Sequence, residues 1–79
     1  PIINSVTVEN PKTCGGLGSV AIELVNASGA YDVYLNGGTL VDVPNQLPIS
    51  NVISIAKGDG WIVKNVKVQS LTTSCISDS

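Results

Sequence analysis

The sequence has no histidine, no methionine and no phenylalanine, and its four cationic side chains are all lysines. Histidine is the side chain that most readily exchanges protons near neutral pH, and arginine is the preferred partner of phosphate groups. The chain therefore lacks the residues that usually carry acid–base catalysis or hold a charged cofactor. We expect a protein that is not an enzyme and that needs no cofactor.

Positive charge is scarce, because the four lysines are spread along 79 residues and the net charge is −2. Nucleic-acid binding draws on clustered positive charge, so this role is not expected. No apolar run approaches the ~20 residues that a membrane-spanning helix requires. We expect neither binding to nucleic acid nor insertion into a membrane.

Metal ligands are also sparse. The two cysteines, Cys14 and Cys75, lie far apart in the sequence and have no histidine to complete a zinc site. The six acidic residues never come within three positions of one another, whereas calcium takes about six to eight oxygen ligands from a dense cluster. We expect no metal site and interpret the acidic side chains as solvated.

What the chain does contain is aliphatic residues and glycine. Hydrophobic residues make up 43% of the chain, mostly Val, Ile, Leu and Ala, and there are eight glycines. β-Branched side chains suit the pleated surface of a strand better than a helix. No stretch sustains a helical apolar period. Length and composition predict a single all-β domain over 1–79, without a regular helix.

Alternation of apolar and polar residues predicts the strands of the first half. One strand covers about 2–9, and a second, over about 20–25, should be among the most buried. The turn residues at 26–29 predict that this second strand forms a hairpin with a third strand over 31–36.

The second half gives shorter runs. A strand over 40–43 ends at a proline, which suits a sheet edge or the end of a strand. The apolar run 52–56 predicts a strand buried on both faces, and 57–60 is a tight turn. A further strand starts at 61–63 and resumes after a β-bulge near Asn65.

The tail, 71–79, adds a last short strand. Short strands separated by turn signals every 8 to 12 residues are typical of small sandwich folds. The pattern therefore predicts a small immunoglobulin-like antiparallel β-sandwich of about seven short strands.

The order of cysteine, glycines and strands is similar to that of a known family. Cys14 is followed by a glycine-rich turn, Gly-Ser at 18–19 opens a strand, and Ser-Gly-Ala-Tyr at 28–31 leads into the next. Residues 53–60 form a strand that runs into an Asp-Gly turn. On these features the segment 13–68 resembles the SprB-type repeats of Bacteroidetes cell-surface proteins. The resemblance implies an immunoglobulin-like fold and a role in adhesion at a surface.

Cys14 and Cys75 allow two interpretations. A disulfide between them would close a loop of about 60 residues and stabilise the fold by ~4 kcal/mol in the chain-entropy model. Alternatively both thiols are reduced, as is usual in a protein assembled in a cytoplasm. Catalysis by either thiol is not expected, because no histidine is available to generate the thiolate.

The three aromatic residues also allow two interpretations. Trp61, Tyr31 and Tyr34 can form a platform on which a sugar stacks, or they can be divided between core and rim. In the second case Trp61 is either a plug in the core or the anchor of a contact with a partner.

The function expected from these features is structural. Pro1 opens the chain without the basic and apolar segments of a signal peptide, so either a preceding segment was removed or an initiator Met was trimmed in a cytoplasm. We expect a self-assembly module on an extracellular surface or virion exterior: a virion or filament subunit, or a repeat of a bacterial surface adhesin. Its partners would be copies of itself or neighbouring structural domains. The alternative is a small module that binds a surface glycan or a protein through an aromatic patch around Trp61.

Overall fold

Seven β-strands form the framework of the protein, whose structure is a computed structural model that describes residues 1–58 and 60–78. Within those two ranges no residue is helical, and so no helix there is long and apolar enough to cross a membrane. The strands are β1 Ile2–Glu9, β2 Gly18–Val25, β3 Tyr31–Leu35, β4 Val43–Gln46, β5 Val52–Lys57, β6 Val66–Ser70 and β7 Ile76–Asp78.

The strands form two antiparallel sheets, one in the order β1-β2-β5 and the other in the order β4-β3-β6-β7. The predicted small β-sandwich is confirmed. The predicted hairpin of β2 with β3 is wrong, because β2 pairs with β1 and β5 whereas β3 pairs with β4 and β6. Turn residues after β2 reverse the chain, but they do not decide in which sheet the next strand finds its partner.

The core is an aliphatic layer between the two sheets. Every second side chain of β2 faces it, so that Val20, Ile22 and Leu24 are buried as predicted. Burial of one such side chain contributes about 1.5–3 kcal/mol. The other buried apolar residues are Tyr31, Val33, Ile53, Ile55, Val66 and Val68.

β1 is an edge strand whose alternation is interrupted. The register with β2 shifts between Ile3 and Ser5. Because a bulge adds one residue to the strand, Ile3 and Val6 both pack against the core although they are three positions apart. The bulge therefore lies in β1 and was not predicted there.

β5 is the opposite edge of the same sheet, and it is buried on one face. Ile53 and Ile55 are buried, whereas Ser54 and Ala56 between them are exposed. The predicted burial of 52–56 on both faces is therefore wrong. No third layer covers the outer face of this sheet in the described part of the chain, so the small residues of β5 face solvent.

The fourth strand is displaced from its predicted position. It was predicted over 40–43 and is found at Val43–Gln46, so that Pro44 lies inside it. The proline is tolerated because β4 is an edge strand, so that of the two predicted settings, a sheet edge or the end of a strand, the edge is found. Next to it, the backbone N–H of Asn45 donates to the Asp32 carboxylate at 3.1 Å.

The predicted strand start at 61–63 is also wrong. This segment is irregular, and β6 begins only at Val66, so Asn65 precedes the strand and forms no bulge within it. The misleading signal was a run of three apolar side chains that the structure leaves at the end of the sandwich.

The turn predicted over 57–60 is closed by a hydrogen bond from the Trp61 N–H to the Gly58 carbonyl at 3.3 Å. Asp59 within this turn lies outside the described residues. The short strand predicted in the tail is β7. Ser79, the last residue of that prediction, also lies outside the described part.

The six connections between strands lie at two opposite ends of the sandwich, which we call the upper and the lower pole. Pairing registers fix this assignment, because the start of β2 pairs with the end of β5 and the start of β3 with the end of β6. The molecule measures 39 × 27 × 18 Å. The upper pole consists of 10–17, 36–42 and 58–65, and the lower pole of 26–30, 47–51 and 71–75.

Gly18 begins β2 where the chain passes closely against the end of β1. A Cβ atom at this position would collide with the carbonyl oxygen of Glu9. Backbone atoms held in a sheet cannot move aside as the end of a flexible side chain can, so only glycine fits here.

Replacement of Gly18 by alanine should lower the free energy of unfolding by about 1–3 kcal/mol, because β1 and β2 must separate to admit the methyl group. Urea denaturation followed by circular dichroism measures the change. Ser19→Ala, one residue further along the same strand, is the control and should unfold close to the wild type. Equal midpoints for Gly18→Ala and the wild type would contradict the close approach of the two strands.

Candidate functional site

A cleft of about 300 Å³ opens at the upper pole. The end of β3, the β3–β4 connection and the segment after β5 form its walls. Its volume lies at the lower end of the range found for small-molecule sites, about 300–1,000 Å³. The cleft is lined by Leu35, Asn36, Asp42, Trp61, Ile62 and Val63.

Asn36 holds the two sides of the cleft together. Its side-chain amide donates to the Ile62 carbonyl at 2.7 Å, and its side-chain oxygen accepts from the Lys64 N–H at 2.6 Å. Its own backbone N–H donates to the Asn65 carbonyl at 3.0 Å. One side chain therefore satisfies backbone groups of a segment that has no strand partner there, and so gives the irregular segment a fixed position.

Asp42 is the last residue of the β3–β4 connection, and its side chain bonds back to the end of β3. One of its carboxylate oxygens accepts from the Leu35 N–H at 2.8 Å. The carboxylate is exposed and lies at the mouth of the cleft. The cleft thus combines an apolar wall with one carboxylate and one amide, a combination that suits hydroxyl groups of a small polar ligand.

Trp61 lies at the rim of the cleft with 47% of its surface exposed. The indole packs against Gly58, where a Cβ atom would come within 2.6 Å of the indole nitrogen. Trp61 is therefore not the predicted plug of the core. The core contains no space for an indole because it is filled by branched aliphatic side chains, and Trp61 is left to cover the end of the sandwich.

The two tyrosines lie elsewhere. Tyr31 is buried at the lower pole, where its hydroxyl oxygen accepts from the Ser28 N–H at 3.0 Å. Tyr34 lies half-buried on β3; its hydroxyl donates to Gln69 at 3.0 Å, and the Lys67 ammonium lies 4.5 Å from its ring centroid. Of the two interpretations of the aromatic residues, the single platform is excluded, because the three rings are distributed over both poles and one sheet.

Lys57 is a buried cation at the upper end of β5. Its side chain points inward, is 2% exposed, and its ammonium donates to the Gly58 carbonyl at 3.5 Å. An inward charge on an edge strand hinders the addition of another strand, because pairing there would confine the charge further.

A cluster of metal ligands is not found in the part of the chain that the structure describes. No three side chains among His, Cys, Asp and Glu in 1–58 and 60–78 come together in a group that could hold a metal ion.

Cys14 and Cys75 are both free and exposed. Cys14 lies in the β1–β2 connection at the upper pole, and Cys75 lies immediately before β7 at the lower pole. The poles are separated by the length of β2, eight residues or roughly 26 Å, whereas a disulfide needs Cα atoms within about 7 Å. A bond between Cys14 and Cys75 of one chain is therefore incompatible with this fold.

Exposed apolar side chains are concentrated at the poles. Among the described residues, twelve large apolar side chains are exposed, and eight of them lie in the connections at the two poles. Leu40 and Ile49 reach 82% and 80% exposure. The upper-pole members are Leu17, Leu40, Val41, Trp61 and Ile62, and the lower-pole members are Leu47, Ile49 and Leu71.

Sequence reasoning missed Asn36 and the apolar side chains of the connections. Asn36 was visible only as a turn residue, because its partners in 62–65 are distant in sequence. The exposure of Leu40 and Ile49 had a signal that was available, since Gly37-Gly38 and Pro48 beside them argue against regular strands.

No family profile, curated protein or solved structure matches the chain. The resemblance to SprB-type surface repeats therefore stays a prediction.

Replacement of Asn36 by glycine should free the segment that carries Trp61 while keeping the backbone conformation, because Asn36 has φ 57° and glycine accepts that region readily. Loss of the two side-chain hydrogen bonds should cost about 1–3 kcal/mol. Acrylamide quenching of the fluorescence of Trp61, the one tryptophan in the chain, should increase.

Asn45→Gly is the matched control, because Asn45 has φ 54° and bonds to Asp32 through its backbone N–H. It should leave the quenching of Trp61 fluorescence unchanged. If Asn36→Gly and Asn45→Gly give the same quenching and the same stability, Asn36 does not hold the cleft.

Proposed function

We propose that the protein is a non-enzymatic structural or assembly module on an exterior surface, as a subunit of a virion or filament or as a repeat of a bacterial surface adhesin. Its contacts with copies of itself or with neighbouring domains are made at the poles. The observation that carries the proposal is the concentration of exposed apolar side chains in the connections at the two poles. An apolar patch with little charge is a common mark of protein–protein contact.

The sheet edges are poorer candidates for contact, because each carries a feature that hinders strand addition. β1 has a bulge at its start, β4 contains Pro44, β5 has the inward Lys57, and β7 is three residues long. Assembly by edge pairing would have to overcome these features, whereas assembly through the poles would bury side chains that are already exposed.

A second candidate function is supported by the cleft at the upper pole. A volume of about 300 Å³ lined by Trp61, Asn36 and Asp42 suits a small polar ligand such as one sugar residue. The aromatic contact of this ligand would be Trp61 alone, since the two tyrosines lie elsewhere.

The assembly proposal predicts that the protein self-associates at high concentration in sedimentation experiments. Leu40→Asp should weaken association about tenfold or more, because it replaces the most exposed apolar side chain described at the upper pole by a charge. Ser54→Asp adds the same charge to the outer face of β5 and should leave association unchanged. A wild-type protein that stays monomeric at millimolar concentration would contradict the proposal.

The ligand-binding candidate predicts that the monomer binds on a glycan array. Trp61→Ala should abolish this binding while the circular dichroism spectrum keeps its β-sheet form, because Trp61 provides the stacking surface. Tyr34→Ala removes an aromatic ring from the sheet face and should bind as the wild type does. Binding that survives in Trp61→Ala, or no binding by the wild type, would exclude this candidate.

A further inference from the structure

We propose that a pocket at the lower pole binds an uncharged ligand with several hydroxyl groups, such as a single sugar residue, and that Tyr31 and Ser70 at its floor donate hydrogen bonds to that ligand. The site is separate from the cleft beside Trp61 and goes beyond the assembly function. Three features of the pocket support it: its position between two paired residues, the hydroxyl protons at its floor and its uncharged polar rim.

The pocket opens where β3 begins and β6 ends. Tyr31 and Ser70 are directly paired in the register of these two strands, so their side chains lie next to each other on one face of the sheet. Each residue is only 4% exposed, and both line the pocket, whose volume is about 190 Å³. This volume is below the usual range for small-molecule sites, about 300–1,000 Å³, so the pocket suits a ligand no larger than one sugar ring.

The two hydroxyl groups at the floor are satisfied as acceptors but not as donors. The Tyr31 hydroxyl oxygen accepts from the Ser28 N–H at 3.0 Å. The Ser70 hydroxyl oxygen accepts from the N–H groups of Thr72 and Thr73, both at 3.2 Å. Among the described residues, neither hydroxyl donates to a protein acceptor. A hydroxyl has one proton to donate and a buried one normally finds an acceptor, so both protons are available to a ligand in the pocket.

The rim of the pocket consists of uncharged polar side chains. Asn26, Ser28, Thr72 and Thr73 are exposed there, and Pro1 completes the lining. Amide and hydroxyl side chains both donate and accept hydrogen bonds, as the hydroxyl groups of a sugar do. A carboxylate would lose its hydration without a cationic side chain to replace it, because no acidic or basic side chain lines the pocket in the described part of the chain. The lining therefore favours a neutral ligand with several hydroxyl groups.

The two connections that form the rim are held against each other. The Leu71 N–H donates to the Ala30 carbonyl at 3.0 Å. Gly29 packs so closely that a Cβ atom there would come within 2.6 Å of the Thr72 hydroxyl oxygen. The Thr73 hydroxyl oxygen accepts from the Cys75 N–H at 3.3 Å. A rim that is already fixed loses little conformational entropy when a ligand binds, which favours binding.

The class of ligand is tested by titrating the isotope-labelled protein, at low concentration, with three kinds of probe in two-dimensional NMR. The methyl glycosides of glucose, galactose and mannose represent neutral polyhydroxyl ligands, N-methylacetamide represents an amide, and acetate represents a carboxylate. At least one glycoside should shift the backbone amide signals of Ser28, Thr72 and Thr73 and saturate in the millimolar range, because these amides bond to the floor hydroxyls. The amide and the carboxylate should give no saturating shift.

The role of the floor hydroxyls is tested with Tyr31→Phe, which removes the hydroxyl and keeps the ring. The dissociation constant of the glycoside should rise about tenfold, because one hydrogen bond to the ligand is lost. Ser70→Ala removes the other hydroxyl and should have a similar effect, which keeps the test valid if one of the two variants fails to fold. Tyr34→Phe is the matched control, since it removes a tyrosine hydroxyl from outside the pocket and should bind as the wild type does.

The site is overturned if no glycoside shifts these amide signals, or if acetate or N-methylacetamide shifts them as strongly. Glycoside binding that Tyr31→Phe and Ser70→Ala leave unchanged also overturns it. Shifts that instead appear at 62–64 and vanish in Trp61→Ala would assign the sugar to the cleft at the upper pole. Binding that survives in Trp61→Ala and weakens in Tyr31→Phe supports the pocket at the lower pole.

Discussion

The structure depends on one layer of branched aliphatic side chains packed between two sheets. Val20 and Ile22 of β2 are fully buried against Val33 and Val68 of the facing sheet. Because successive side chains of a strand point to opposite faces, this inward layer obliges the alternate residues to face solvent. In β5 these outward residues are small or polar, namely Ser54 and Ala56. Packing of the core therefore explains why the inner and outer faces of a sheet carry different side chains.

The same layer leaves the ends of the sandwich uncovered. The strands are three to eight residues long, and among the described residues no strand or helix covers the poles. The connections that lie there are held by local hydrogen bonds. Asn36 fixes the upper pole, and at the lower pole the buried Ser70 hydroxyl accepts from the N–H groups of Thr72 and Thr73, both at 3.2 Å. Fixed connections that expose apolar side chains provide a surface suited to contact, and this is why we place the function at the poles.

The parts of the fold that follow from alternation could be predicted from the sequence. β1, β2 and β3 were found close to their predicted positions because their apolar period is local information. The sheet to which each strand belongs could not be predicted, since pairing depends on contacts between residues far apart in sequence. The errors at 40–43 and 61–63 have a shared origin: apolar residues in a connection produce the same pattern as a short strand. The separation of Cys14 from Cys75 follows from the topology, and two cysteines in a sequence carry no information about it.

Amide hydrogen exchange at low and high protein concentration, under reducing conditions, tests the central claim most directly, because it shows which part of the surface becomes covered. The account predicts that peptides containing the connections 10–17 at the upper pole and 71–75 at the lower pole exchange more slowly as the protein concentration rises. β4 and β5 at the sheet edges should exchange at the same rate at all concentrations. Protection that appears in β5 and is absent from both poles would contradict it.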